Sequence, residues 1–210
     1  MIERALSFHA LTPERWADIA RLFGPRGACA GCWCMWARVP GGEFAKGKGD
    51  GNKRAFRRIV NAGEPPGLIA YAGVEPVGWC ALGPREVYRR LEKSRTLAPV
   101  DEQRVWSVVC FFIARSHRKQ GLTVRLLREA IRYAKGQGAK ILEGYPVEPK
   151  GGKTADAFAW TGLAESFRKA GFEEVLRRSE TRPIMRYLID RSRSVKGPAR
   201  IGASRGRARG

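Results

Sequence analysis

The feature that most constrains this chain is a strand, a turn and a helix in immediate succession. Residues 104–114 read Arg-Val-Trp-Ser-Val-Val-Cys-Phe-Phe-Ile-Ala, the most apolar stretch of the sequence. A continuous apolar run of this length predicts a strand covered on both faces. Arg118-Lys119-Gln120-Gly121-Leu122-Thr123 follows, and then a helical pattern from about Gly121 to Lys135. Its predicted inner stripe is Thr123, Leu127, Ala130, Ile131 and Ala134, with Arg125, Arg128, Arg132 and Lys135 facing water. The first turn of a helix carries N–H groups without internal partners, and its dipole favours negative charge. Gly121 permits a close backbone approach, and Arg115, His117, Arg118 and Lys119 supply cations. The segment is therefore chemically suited to a pyrophosphate.

The rest of the chain predicts a mixed sheet around that unit. Residues 4–10 alternate as a first strand. Thr12-Pro13-Glu14 reads as a cap, a first-turn proline and an acid ahead of a helix to Phe23, with Trp16, Ile19, Ala20 and Phe23 on one face. Residues 24–52, rich in glycine and holding Cys29, Cys32, Cys34, Trp33 and Trp36, read mostly as a long loop. A basic helix over 52–60 is expected next. Residues 67–74 and 76–82 form a predicted hairpin, and 85–93 a charged helical stretch. Residues 140–147 read as a strand closed by Pro149-Lys150-Gly151-Gly152. Thr161 is placed to cap a helix over 162–170, and 172–178 with 182–189 to form a terminal antiparallel pair. Strands in runs with interspersed helices predict an α/β fold of the mixed α+β kind, not a doubly wound one.

Composition narrows the setting. The net charge is +20. Residues 191–210 hold seven Lys or Arg and no acid, and 1–190 are basic as well. We expect one domain over 1–190 and a disordered basic tail over 191–210, too poor in apolar residues to fold. The basic surface admits polyanions, nucleic acid included, but equally serves solubility and a cofactor's phosphates. The sequence contains no membrane-length apolar run, and the first residues carry no secretory pattern, so the cytoplasm is the expected compartment. Five cysteines, three of them crowded together, do not resemble a disulfide framework. Cys29-x-x-Cys32-x-Cys34 lacks a paired motif and a fourth ligand beyond His9 and His117, so no metal is assigned.

On these residues the chain resembles the GNAT acetyltransferases. Their acetyl-CoA loop, R/Q-x-x-G-x-G/A, is matched by Arg118, Gly121 and, with extra bulk, Thr123. Their later helix ends in a Gly-Phe pair, matched by Gly171-Phe172, and the element order agrees from about 4 to 189. Cys32-Trp33-Cys34-Met35-Trp36 with Trp160-Thr161-Gly162 is similar to a bacterial subgroup of undefined substrate. The resemblance implies an acyl-CoA N-acyltransferase fold, with a twisted mixed sheet of six to seven strands and about four flanking helices. It implies acetyl transfer from acetyl-CoA to an amine, directly in a ternary complex. The strand before the loop would splay from its neighbour, so that Phe111, Phe112 and Ile113 hold the pantetheine arm and an N–H near Phe111 stabilises the oxyanion. Backbone amides of Arg118, Lys119, Gln120, Gly121, Leu122 and Thr123 would hold the pyrophosphate.

The proton-transfer groups are less determined. Strand 105–114 offers no carboxylate, where many relatives place a glutamate. Glu143 is a candidate base, with a surface carboxylate as the alternative. Phe167 occupies the position at which many relatives carry the tyrosine that protonates the leaving thiolate, and is assigned instead as a cofactor contact. Tyr145 and Ser166 are the remaining candidates. Trp33, Trp36 and Arg38 are placed in the acceptor pocket, against a core-anchoring alternative. The acceptor, a small molecule or a peptide, is not specified, and the oligomeric state, a dimer included, is left open. Two rival readings are a degenerate fold that binds nucleic acid and a metal or redox protein centred on the cysteine loop.

Overall fold

A computed structural model of the chain describes residues 5–150 and 156–189. Gly151 and Gly152, and the tail over 191–210, lie outside the described residues. The strands are β1 (Leu6–Ala10), β2 (Gly67–Ala72), β3 (Glu75–Pro84), β4 (Trp106–Ile113), β5 (Ile141–Gly144), β6 (Glu173–Arg177) and β7 (Pro183–Leu188). The helices are α1 (Trp16–Phe23), α2 (Gly41–Gly47), α3 (Asp50–Asn61), α4 (Arg89–Glu92), α5 (Leu122–Gly136) and α6 (Ala164–Lys169). One seven-stranded sheet runs in the order β1-β2-β3-β4-β5-β7-β6. Every pairing is antiparallel except β4 with β5.

The sheet is buried on both faces, and alternation along β2 shows why. Leu68, Ala70 and Ala72 join the core under α5 and α6, together with Leu126, Leu127, Ala130 and Phe167. Ile69 and Tyr71 join the opposite core with Ile19 and Phe23 of α1 and Phe56 and Val60 of α3. Strand side chains alternate between faces, so a wholly apolar strand needs a layer on each side. Trp79, on β3, is fully buried against Phe23 and Phe56 on the second face.

Several local expectations are corrected. Thr12 stands at the N-cap position with Pro13 and Glu14 in the first turn, as expected, and the helical turn Pro13–Arg15 runs straight into α1, but the Thr12 side chain makes no capping hydrogen bond. The inner stripe of α5 is Leu122, Leu126, Leu127, Ala130 and Ala134, while Thr123 and Ile131 are half-buried. Thr161 does not cap α6. It closes the turn Asp156–Thr161, its Oγ1 accepts a hydrogen bond from Arg182, and Leu163 precedes the helix. The predicted strand over 140–147 stops at Gly144. Residues 24–52 are mostly irregular, as expected, but α2 and the start of α3 lie within them. Their glycine content hid this, since glycine carries no periodicity signal.

Among the described residues no helix is long and apolar enough to cross a membrane.

Candidate functional site

The site begins where β4 and β5 part. Their parallel pairing covers only Trp106↔Leu142, Ser107↔Glu143 and Val108↔Gly144. On its other edge β4 stays paired with β3 to Gly78↔Ile113. Val109–Ile113 therefore have a free edge, and backbone N–H and C=O groups left without a strand require another partner. Phe167 explains the parting. Its ring lies against Gly144, where an added Cβ would come within 2.1 Å of Cε1. It also meets Phe111 and Phe172 edge-on, at 6.1 and 5.0 Å between ring centroids. Phe167 is fully buried, so it wedges the strands apart and does not line the groove, which corrects its assignment as a cofactor contact.

The groove beside this free edge holds about 430 Å³. Phe111, Phe112 and Ile113 form one wall, and Trp160, Gly162, Leu163 and Ser166 the other. Arg118, Lys119 and Thr123 close one end at the start of α5. Gly121 is left-handed (φ 75°) with open space where a side chain would begin. Lys119 is left-handed too (φ 61°), an unfavourable state for a residue with a Cβ. Arg118 Nε donates to the carbonyl of Ile113 at 3.1 Å, and Gln120 Nε2 to that of Ser116 at 2.8 Å. Leu122 is not at the groove surface; it is buried beneath it, against β3.

A second cavity of about 250 Å³ continues from the groove, sharing Cys29, Phe111, Phe112 and Trp160 with it. Phe23, Trp36, Phe44 and Val109 make most of its wall apolar. Cys29, Cys32, Cys34, Cys110 and Lys48 also line it, and its lining includes no carboxylate. The cysteines could not be placed here from spacing alone, because Cys110 arrives from β4. A register shift between Ala81 and Leu82 leaves Val109 without a partner on β3. Such a bulge re-aims side chains, and here both Val109 and Cys110 line the cavity.

The three residues assigned to the acceptor separate. Trp36 lines the cavity, edge-on to Trp160 at 4.6 Å, with the Arg90 guanidinium 4.4 Å above its ring. Trp33 is 2% exposed and stacks on Trp16 at 6.0 Å, so it is a core anchor and not a pocket residue. Arg38 lies over the Tyr88 ring at 4.9 Å and is not part of the lining.

Glu143 is neither on the surface nor open to the cleft. It is fully buried, with Arg186 Nε at 2.7 Å and Arg85 at 3.3 Å. Tyr145 donates to Glu143 at 2.7 Å, accepts from Arg85 at 2.6 Å and meets Ser107 at 2.8 Å. Burial first, then the Glu143 charge, pushes the Tyr145 hydroxyl well above its ordinary range. These two candidates thus belong to one closed ionic cluster, completed by Asp101 on Arg186. Tyr145 does border a third cavity of about 240 Å³, which shares Trp36, Val109 and Trp160 with the second. Of the three proton-transfer candidates only Ser166 lines the groove itself. Among the described residues no group of three or more His, Cys, Asp or Glu is arranged to hold a metal.

Comparison with known proteins agrees with this architecture. A family model described as "Acetyltransferase (GNAT) family" matches residues 33–158. A GNAT-family acetyltransferase from Listeria monocytogenes is similar at a TM-score of 0.54 and 9% identity, over 87% of this chain and 94% of that one. An aminoglycoside acetyltransferase in complex with coenzyme A gives 0.51 and 17%, over 88% and 95%. The protein yncA from Salmonella typhimurium, with its cofactor acetyl-CoA, gives 0.50 and 13%, over 89% and 95%. At these identities the likeness is one of fold. No curated protein matches the sequence.

Proposed function

The chain belongs to the acetyltransferase (GNAT) family, and from that premise we propose that it moves acetyl from acetyl-CoA to the amine of an apolar acceptor. The observation that carries this is the free edge of β4, set between a cationic left-handed turn and an apolar cavity. The backbone groups that Phe111–Ile113 turn to the free edge, apart from the Ile113 carbonyl that Arg118 already occupies, suit the amide-bearing pantetheine arm. The backbone around Gly121, with Arg118 and Lys119, suits the pyrophosphate. These features fit the acetyl-CoA held by one of the similar proteins and the coenzyme A held by another. The thioester then lies where the groove meets the second cavity, beside Phe111, whose backbone N–H is placed to stabilise an oxyanion. Donor and acceptor share one cleft, which supports direct transfer from a ternary complex.

The cavity also constrains the acceptor. Its walls are aromatic and aliphatic, and its one charged residue is Lys48. A polycation would lose its hydration there without gaining a counter-charge. An amine on an apolar body, protonated only at its reacting nitrogen, fits better than an aminoglycoside. The test is a CoA-release assay with tryptamine, phenethylamine and an aminoglycoside, alongside calorimetry with acetyl-CoA. Turnover of the arylalkylamines above the aminoglycoside is expected. The reverse preference overturns the acceptor reading, and absent acetyl-CoA binding overturns the donor reading.

A further inference from the structure

The third cavity adjoins the second but differs from it in chemistry. Beyond the shared wall it is lined by the hydroxyl residues Thr161 and Ser179 and by Arg182. Arg182 stands in the turn between β6 and β7, where its backbone N–H donates to the carbonyl of Ser179 at 3.0 Å. Its side chain is half-buried and makes one hydrogen bond, from Nη1 to Thr161 Oγ1 at 2.9 Å. Thr161 is itself buried, so this bond anchors the guanidinium at the cavity wall. Nε and Nη2 have no protein partner among the described residues, and neither is sealed from solvent.

The buried arginines nearby are neutralised. Arg85 meets Glu143 and Glu92, and Arg186 meets Glu143 and Asp101. Arg182 pairs with no carboxylate among the described residues, and the linings of the second and third cavities contain none. Burial alone acts on its guanidinium and lowers its pKa, although an arginine keeps its charge at neutral pH. Arg90 adds to the positive field. It lies 4.4 Å above the Trp36 ring, behind the shared wall, with Nε and Nη2 buried and unpartnered. A desolvated charge without a counter-ion costs free energy that a bound anion recovers. One guanidinium at the cavity surface matches a single negative charge, and its planar fork matches the two oxygens of a carboxylate. A phosphate dianion would need a second cation in the lining.

We propose that the acceptor is an amino carboxylate, with its amine at one end of an apolar body and its carboxylate at the other, and that Arg182 binds the carboxylate in the third cavity. This rests on the reading of the groove and the second cavity as donor and acceptor sites. The order of the cavities sets the arrangement. The groove meets the second cavity at Phe111, Phe112 and Trp160, where the thioester lies and the amine must arrive. The second cavity meets the third at Trp36, Val109 and Trp160. An apolar body packed between these rings carries its far end to Arg182. Thr161 already accepts from Arg182, so its own hydroxyl proton is available to a carboxylate oxygen. Arg182 is thus a specificity-determining residue, and a lining without acids leaves the incoming carboxylate unopposed.

The test compares kcat/KM within two matched pairs, ε-aminocaproate against hexylamine and para-(aminomethyl)benzoate against benzylamine, with acetyl-CoA binding followed by calorimetry. For the full chain, at least one carboxylate is expected to exceed its plain amine by about tenfold or more, the scale of a charge-assisted hydrogen bond. Arg182→Gln keeps an amide donor near Thr161 but removes the charge, and is expected to bring that ratio to parity or below. A parent that binds acetyl-CoA and acetylates the plain amines at least as well as the carboxylates overturns the inference and leaves the proposed function intact. So does an Arg182→Gln variant that keeps the preference. Should the variant not fold, the parent's ratio decides, tenfold supporting the inference and parity overturning it. Failure to bind acetyl-CoA removes the proposed function and this inference with it.

Discussion

The two halves of the cleft are built on opposite principles. The donor half is β4, the Gly121 turn and α5, which are consecutive in sequence and regular in backbone, with only Lys119 and Gly121 left-handed. The half proposed for the acceptor is assembled from Ala28–Lys48, the bulge of β4 and Trp160, with left-handed backbone at Ala28, Ala30, Trp33 and Cys34. The donor half presents free backbone groups and cations, which any acyl-CoA offers a match for. The acceptor half presents a particular set of aromatic rings and thiols. The difference teaches that the groove rests on local, backbone-encoded structure, whereas the cavity beside it, proposed for the acceptor, rests on side chains gathered from distant segments.

The comparison is tested most severely at Gly121. A glutamate there meets nothing within 4 Å of a built Cβ; it strains the left-handed backbone, as asparagine does less, and it alone sets a negative charge against the pyrophosphate. We expect Gly121→Glu to weaken acetyl-CoA binding by about a hundredfold or more, two like charges near contact costing several kcal/mol at protein surfaces. Gly121→Asn tolerates the left-handed backbone without the charge and loses far less. Calorimetry on the two variants decides it; equal losses would place the effect in the backbone and not in phosphate recognition.

Next in size is the contrast between the two tryptophans of the acceptor segment. Trp33→Ala empties a packed core and is expected to cost about 3–5 kcal/mol of stability by denaturant titration. Trp36→Ala trims the cavity wall. It should change stability less, leave acetyl-CoA affinity within a few-fold, and lower kcat/KM for the amine by about tenfold or more, the scale of apolar contacts in a binding pocket. If both variants merely unfold the protein, the segment is scaffold and not acceptor site.

The smallest expected effect concerns acid. The ionic cluster of Arg85, Glu143, Arg186 and Asp101 supports the acceptor face, where the donor face relies on the apolar stripe of α5. The hydrogen bond from Arg186 holds the Asp101 carboxyl down, from an ordinary 3.8 to about 2. A depressed carboxylate stabilises the fold above its unfolded value, and that contribution is lost as pH falls from 3.8 towards about 2. Asp101→Asn should therefore melt below the parent at neutral pH, with the gap narrowing through that acid window. A gap that is constant with pH would show that the carboxylate's charge contributes nothing.

Legibility in the sequence follows the same division. The predicted strand, turn and helix over 104–135 recur as β4 and α5, because periodicity and a glycine turn are local properties. The terminal pair over 172–189 and the mixed sheet were legible for the same reason. The helix start at Thr161 was misread and Thr12 holds its cap position without a capping bond, because a capping residue type does not ensure that its side chain turns back to the helix. Glu143 was misread because its partners, Arg85 and Arg186, lie far along the chain and meet it only across the sheet. Phe167 was read as a cofactor contact from its place in a motif, although its size, opposite Gly144, is what opens the groove.

By itself the sequence determined the sheet class, the glycine turn at Gly121 and the helix that follows it, since each depends on neighbours within a few residues. Only the tertiary structure decided where β4 and β5 part, which tryptophan faces the cavity and which cysteine accepts the Trp79 indole N–H. Those depend on packing between segments remote in the chain. Nothing in the local propensity of Trp33 or Cys34 favours a left-handed backbone; it is imposed by rings that close around them.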